Sequence, residues 1–106
     1  MAEFPICCTL SGPERATRLV SEIATLRRDQ QEVRWLPEGV TLRFRAEPGR
    51  LAAPAEFVEY ERQCCAFLQF RLTAEPGGGP IWLELTGPAG TRAFLATELG
   101  LVEHSE

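Results

Sequence analysis

The sequence contains no lysine; all 11 of its basic residues are arginine. Its 15 acidic residues outnumber them and leave a net charge of −4, which disfavours a nucleic-acid partner, because phosphates select basic surfaces. The single histidine, His104, lies in the terminal stretch Glu103-His104-Ser105-Glu106, so histidine-dependent catalysis is not expected. No apolar run approaches the roughly 18 residues that a membrane-spanning helix needs. Met1-Ala2-Glu3-Phe4-Pro5 has no basic region leading into a long apolar segment. The expectation is a chain with no signal peptide and no membrane partner, located in the cytoplasm. The C-x-x-C spacing of common zinc loops is missing. So are the glycine spacing of a phosphate loop and any RNP-like motif.

What remains is ordinary in bulk and unusual in detail. At 106 residues, 44% hydrophobic and 25% charged, the chain reads as one globular domain, residues 1–106, able to bury a core without staples. Its four cysteines form two dipeptides, Cys7-Cys8 and Cys64-Cys65. Adjacent cysteines make poor disulfide staples, since bridging them closes a small strained ring. In a reducing compartment such thiols serve metal or redox chemistry instead.

Alternation and helical spacing order the chain as β-α-β-β-α-β-β-α. Residues 4–10 read as a strand with Phe4, Ile6, Cys8 and Leu10 on one face and Cys7 on the other. Ser11-Gly12-Pro13-Glu14 supplies capping-box spacing and opens a helix over 13–30. Strands are expected at 33–36 and 40–46, joined by Pro37-Glu38-Gly39, then a helix over about 50–65 with Pro54 in its first turns. Residues 67–74 alternate, with Leu68, Phe70 and Leu72 inward and Phe67, Gln69 and Arg71 outward. Gly77-Gly78-Gly79-Pro80 forms a loop before a strand at 81–86, and Thr86-Gly87-Pro88 opens a last helix ending near Gly100. The likeness of Leu10-Ser11-Gly12-Pro13 to Leu85-Thr86-Gly87-Pro88 reads as shared strand-to-helix punctuation. This order predicts an α+β fold, helices on one face of an antiparallel sheet. Its first six elements match the ferredoxin-like βαββαβ pattern, in which the first strand is central and Cys8 approaches Cys64 and Cys65.

The helix over 50–65 carries the anomaly. Its apolar stripe holds Phe57, Val58, Cys64 and Cys65, and its wet side holds Glu56, Glu59 and Gln63. Glu61 falls within the apolar stripe, where a charge is costly unless paired or coordinated. Two chemistries satisfy it: an ion pair with a buried arginine, or a role beside the cysteines, as a partner in holding a cation or as a proton acceptor for a thiol. The i, i+3 and i, i+4 spacings put Glu61, Cys64 and Cys65 on one face. A soft ion favours the thiolates, with the carboxylate as a weaker third ligand. A helix C-terminus disfavours a thiolate, so a fast nucleophile is not expected there; a metal, which displaces the proton itself, remains compatible. Cys8, on an apolar strand face, is either a fourth candidate ligand or a small core residue.

The segment Glu61-x-x-Cys64-Cys65-Ala66-Phe67-Leu68-x-Phe70, followed by Leu85-Thr86-Gly87-Pro88-x-Gly90, resembles a family of small uncharacterised bacterial proteins with the motif E-x-x-C-C-P-F-[FL]-x-F. The resemblance covers roughly residues 9–100, and only the motif is specific. Members are often encoded beside MerR-type metal-responsive regulators and mercury-resistance genes. The resemblance implies handling of mercury or another thiophilic metal through Cys64 and Cys65, with Glu61 attached. The chain has Ala66 where the family usually has proline, which loosens the turn after the cysteines.

The expected function is therefore binding of a soft or heavy metal ion (Hg, Cu or Zn) by Cys64, Cys65, Glu61 and Cys8, with the question of enzymatic activity left open. Two alternatives stand beside it. One is a thiol-redox enzyme using the same cysteines. The other is an interaction domain built on an outward sheet face of Arg43, Arg45, Phe67, Arg71 and Trp82, residue types that favour a homodimer.

Overall fold

The computed structural model describes residues 23–101. A helix over residues 23–29 (α1) runs directly into strand β1 (Gln30–Leu36), followed by β2 (Gly39–Phe44), α2 (Ala52–Cys64), β3 (Gln69–Ala74), β4 (Ile81–Thr86) and α3 (Thr91–Leu99). The strands form one antiparallel sheet in the order β1-β2-β4-β3. The α+β class and the antiparallel sheet are as the sequence pattern requires.

Register explains the core. Val40, Leu42 and Phe44 stand opposite Leu85, Leu83 and Ile81, and all six are buried. Leu26 of α1, Phe57 of α2 and Leu95 and Leu99 of α3 join the same cluster, so the three helices cover one face. Each such side chain contributes about 1.5–3 kcal/mol by leaving water. The alternate residues Thr41, Arg43, Trp82 and Glu84 point to the opposite face. Pro37-Glu38 links β1 to β2, with Leu36 opposite Gly39. Gly39 must be glycine: a Cβ there would strike the Leu85 carbonyl oxygen of β4.

Three expectations change. In the ferredoxin-like order, residues 4–10 lie beside the strand that is here β2; that place is filled by β4, which pairs with β2 along its whole length. Residues 4–10, and with them Cys7 and Cys8, lie outside the described residues. The helix expected over 13–30 gives way to β1 at Gln30, because Gln30 and Glu32 already pair with Phe44 and Arg43 around an irregularity at Gln31. Phe67 does not face outward. It precedes β3 in a turn and is buried, edge-on to Phe94 of α3 at 5.0 Å and 82°. From Leu68 along β3, which pairs on one side only among the described residues, burial fades to Leu72, which is 36% exposed although it stands opposite the buried Leu83.

Candidate metal centre

The site is built where α2 ends against α3. Helix α2 is amphipathic as expected: Phe57 and Glu61 are fully buried, while Glu56, Glu59 and Gln63 are exposed. Pro54, its third residue, costs the helix no internal hydrogen bond. The last turn closes through the Cys65 amide, which donates to the Glu61 carbonyl at 2.7 Å; Cys65 then leaves the helical conformation at φ −121° and ψ 78°. The Leu68 amide donates back to the Cys65 carbonyl at 3.2 Å, tightening the turn.

On the facing helix, Thr91, Leu95 and Leu99 form the buried stripe, and Glu98 lies at its flank. The α3 N-terminus is held from a distance. Glu38, in the β1–β2 turn, accepts through Oε1 from the Gly90 amide at 3.0 Å and the Arg92 amide at 3.5 Å. That is a cap the preceding residue, Gly90 at φ 99°, cannot supply itself. Arg92 donates to the Leu36 carbonyl at 3.3 Å and stacks over Trp35, tying α3 to the same hairpin. The Phe67–Phe94 contact completes the alignment, because Phe67 lies two residues after Cys65 and Phe94 one turn before Glu98.

The outcome is that one carboxylate oxygen of Glu61, the Sγ of Cys65 and one carboxylate oxygen of Glu98 lie within 4.8 Å of one another. Glu61 and Cys65 have no solvent exposure. The Cys65 thiol lies 3.9 and 3.8 Å from the two Glu98 oxygens, the length of a weak S–H···O bond. Neither Glu61 oxygen has a hydrogen-bond partner, and no arginine pairs with it among the described residues. Burial foremost, and then the negative charge of Glu98, pushes the Glu61 carboxyl up to about 8. Burial likewise raises Glu98. Without a cation the cluster therefore holds a proton at neutral pH, as two carboxyls packed together out of water must.

Of the residues expected at the site, Glu61 and Cys65 come together as their i, i+4 spacing requires. Cys64 ends α2, but its side chain is outside the description, as is the whole of Cys8. Among the described residues no arginine pairs with Glu61, as the ion-pair explanation would need; Arg15 and Arg18 lie outside them. Glu98 was missed. Its signal was the one that exposed Glu61: a carboxylate three residues after Leu95 and four after Phe94, on a helix whose neighbouring positions are apolar.

No helix among the described residues is long and apolar enough to cross a membrane. Comparisons with protein-family models, with curated proteins and with solved structures each gave no match.

Proposed function

We propose that the protein binds a thiophilic divalent metal ion at Cys65, Glu61 and Glu98, with Cys64 as a further thiolate. The single observation that carries this reading is the buried cluster itself: the fully buried Glu61 carboxyl, the Cys65 thiol and the Glu98 carboxyl, with one ligand atom of each within 4.8 Å of the others. Burying an ion without compensation costs several kcal/mol, and a divalent cation would compensate all three groups at once. Bond lengths of about 2.3 Å to sulfur and 2.0–2.2 Å to oxygen put tetrahedral S and O ligands on the order of 3.6 Å apart. The observed 3.8 and 3.9 Å need only a small inward adjustment. One thiolate with two carboxylates suits zinc or cadmium; a second thiolate from Cys64 shifts the preference towards mercury. The resemblance around Glu61 and Cys64-Cys65 supports mercury or a similar ion as cargo.

In the same reading the protein acts in the cytoplasm, as a homodimer formed through the outer sheet face, where Trp82 lies under both Arg34 and Arg43. Such groups are enriched at protein interfaces.

The test is titration of the reduced protein with Cd²⁺, Zn²⁺ and Hg²⁺, following thiolate-to-metal charge-transfer absorption and metal content after gel filtration. One ion is expected per chain, with affinity falling by at least about tenfold in Glu61→Gln and in Glu98→Gln, as loss of a ligand or its support does. Absorption should be abolished in Cys65→Ser. Unchanged binding in Cys65→Ser would overturn the assignment.

A further inference from the structure

We propose that the metal reaches this centre as a complex with a small anionic thiol, and that Arg62 holds the carrier's carboxylate while Cys65 takes the metal. The inference rests on the metal-binding reading and specifies what that site meets from solution. A groove lined by Val58, Arg62, Cys65, Ala66, Leu68 and Phe70 opens beside the centre, so Cys65, although without exposed surface, borders it. Four of its six lining residues are hydrocarbon, one is a thiol, and one is a cation.

That cation, like Arg27, makes no ion pair among the described residues. Arg28, Arg34, Arg43, Arg45, Arg50 and Arg71 each pair with an acid. Arg62 is exposed and makes no ion pair or hydrogen bond among the described residues. The two ends of the groove also fit one small molecule. Arg62 and Cys65 line the same groove, so a mercaptocarboxylate bound there could present its metal-bearing sulfur to Cys65 and its carboxylate to Arg62. In a reducing compartment a thiophilic ion is held by small thiols rather than free. A groove offering a thiol for the metal and a guanidinium for the carrier's anion complements that form.

The step is ligand exchange without redox change. The bond from the carrier's sulfur to the metal breaks, the Cys65 Sγ–metal bond forms, and the Cys65 thiol proton ends on the departing carrier as a neutral thiol. Glu61 and Glu98 then close on the ion from the buried side, and the proton that their pair holds in the empty centre leaves to solvent.

The test compares Cd²⁺ presented as its mercaptosuccinate complex with Cd²⁺ presented as its 2-mercaptoethanol complex, following uptake by stopped-flow absorption in wild type, Arg62→Ala, Arg62→Lys and Cys65→Ser. Arg62→Ala should slow uptake from mercaptosuccinate about fivefold, the size of one exposed ion pair, and change uptake from mercaptoethanol less than about twofold. Arg62→Lys should recover most of the loss, and high salt should erase the difference between carriers. Equal slowing with both carriers, or none with either, overturns the carrier inference while leaving the metal centre standing. If Cys65→Ser takes up Cd²⁺ like wild type, the metal centre itself is wrong and the carrier inference falls with it.

Discussion

On the outer face of the sheet, Glu32 pairs with Arg34 and Arg43, Arg71 pairs with Glu84, and the Trp82 indole donates to Glu75 at 2.9 Å. On the helix-covered side, Glu61 and Glu98 lie against each other and a thiol, and neither is paired with an arginine among the described residues. Among the described residues, the paired cations sit where water already makes charge inexpensive, and none pairs with a carboxylate where a charge is hardest to bury. A fold stabilised by its own ion pairs would show the reverse, or would place leucine at 61. That contrast is what the proposed metal centre has to account for.

The largest effect should come from uncoupling the two helices that meet at the centre. Phe67→Ala removes a buried ring and its edge-on contact with Phe94, and should destabilise the fold by about 3–5 kcal/mol, measured by urea unfolding. Metal affinity should fall as well, because that contact aligns Cys65 with Glu98. A variant that loses stability but keeps full affinity would show that the turn is not what positions the thiol.

Next is the cost of the orphaned carboxylate. Glu61 has its folded-state value raised from 4.5 to about 8. The unfolded chain releases this proton near 4.5, whereas the folded chain keeps it until about 8. Stability is therefore full below pH 4.5, declines between the two values, and levels off above about 8. At about 1.4 kcal/mol per unit the decline amounts to a few kcal/mol at most, shared with Glu98. Glu61→Gln should flatten this slope and be the more stable protein above pH 8, as followed by thermal melts across pH. Saturating Cd²⁺ should instead stabilise wild type more as pH rises, since the ion displaces protons. A wild-type protein that grows more stable from pH 5 to pH 8 without metal would break the contrast between the two faces.

The smallest effect belongs to the outer face. Arg71→Ala removes a pair 3.8 Å long whose arginine is mostly exposed, and should change stability by less than about 0.5 kcal/mol in the same urea experiment. A loss several times larger would mean that this face is covered in solution, and sedimentation of wild type and variant would then reveal the dimer.

Much of the architecture was legible because burial leaves period-two and period-3.6 marks. Ile81, Leu83 and Leu85 located β4, and Phe57 with Val58 oriented α2 so that Glu61 stood out. Strand order was not legible, because pairing is a non-local choice: residues 4–10 and 81–86 both alternate, and nothing local says which lies beside β2. Phe67 misled because the alternation of 67–74 continues smoothly through it, while the chain is still in the turn that Cys65 and Leu68 close. Glu98 was hidden by the uncertain start of α3. Taking the helix from Thr86-Gly87-Pro88 blurs the stripe that begins only at Thr91.

The link from Glu38 to the start of α3 gives the two short connections of the sheet very different freedom to vary. The loop through Gly77 and Gly78, both at positive φ with open space where a Cβ would stand, joins β3 to β4. It is a natural place for added residues, a purification tag or a reporter. The Pro37-Glu38 turn is the same kind of surface hairpin, yet its carboxylate fixes the end of the helix that delivers Glu98. One residue inserted there would move Glu38 off the amides it caps, so change in that turn should disturb the placement of Glu98 in the candidate metal centre.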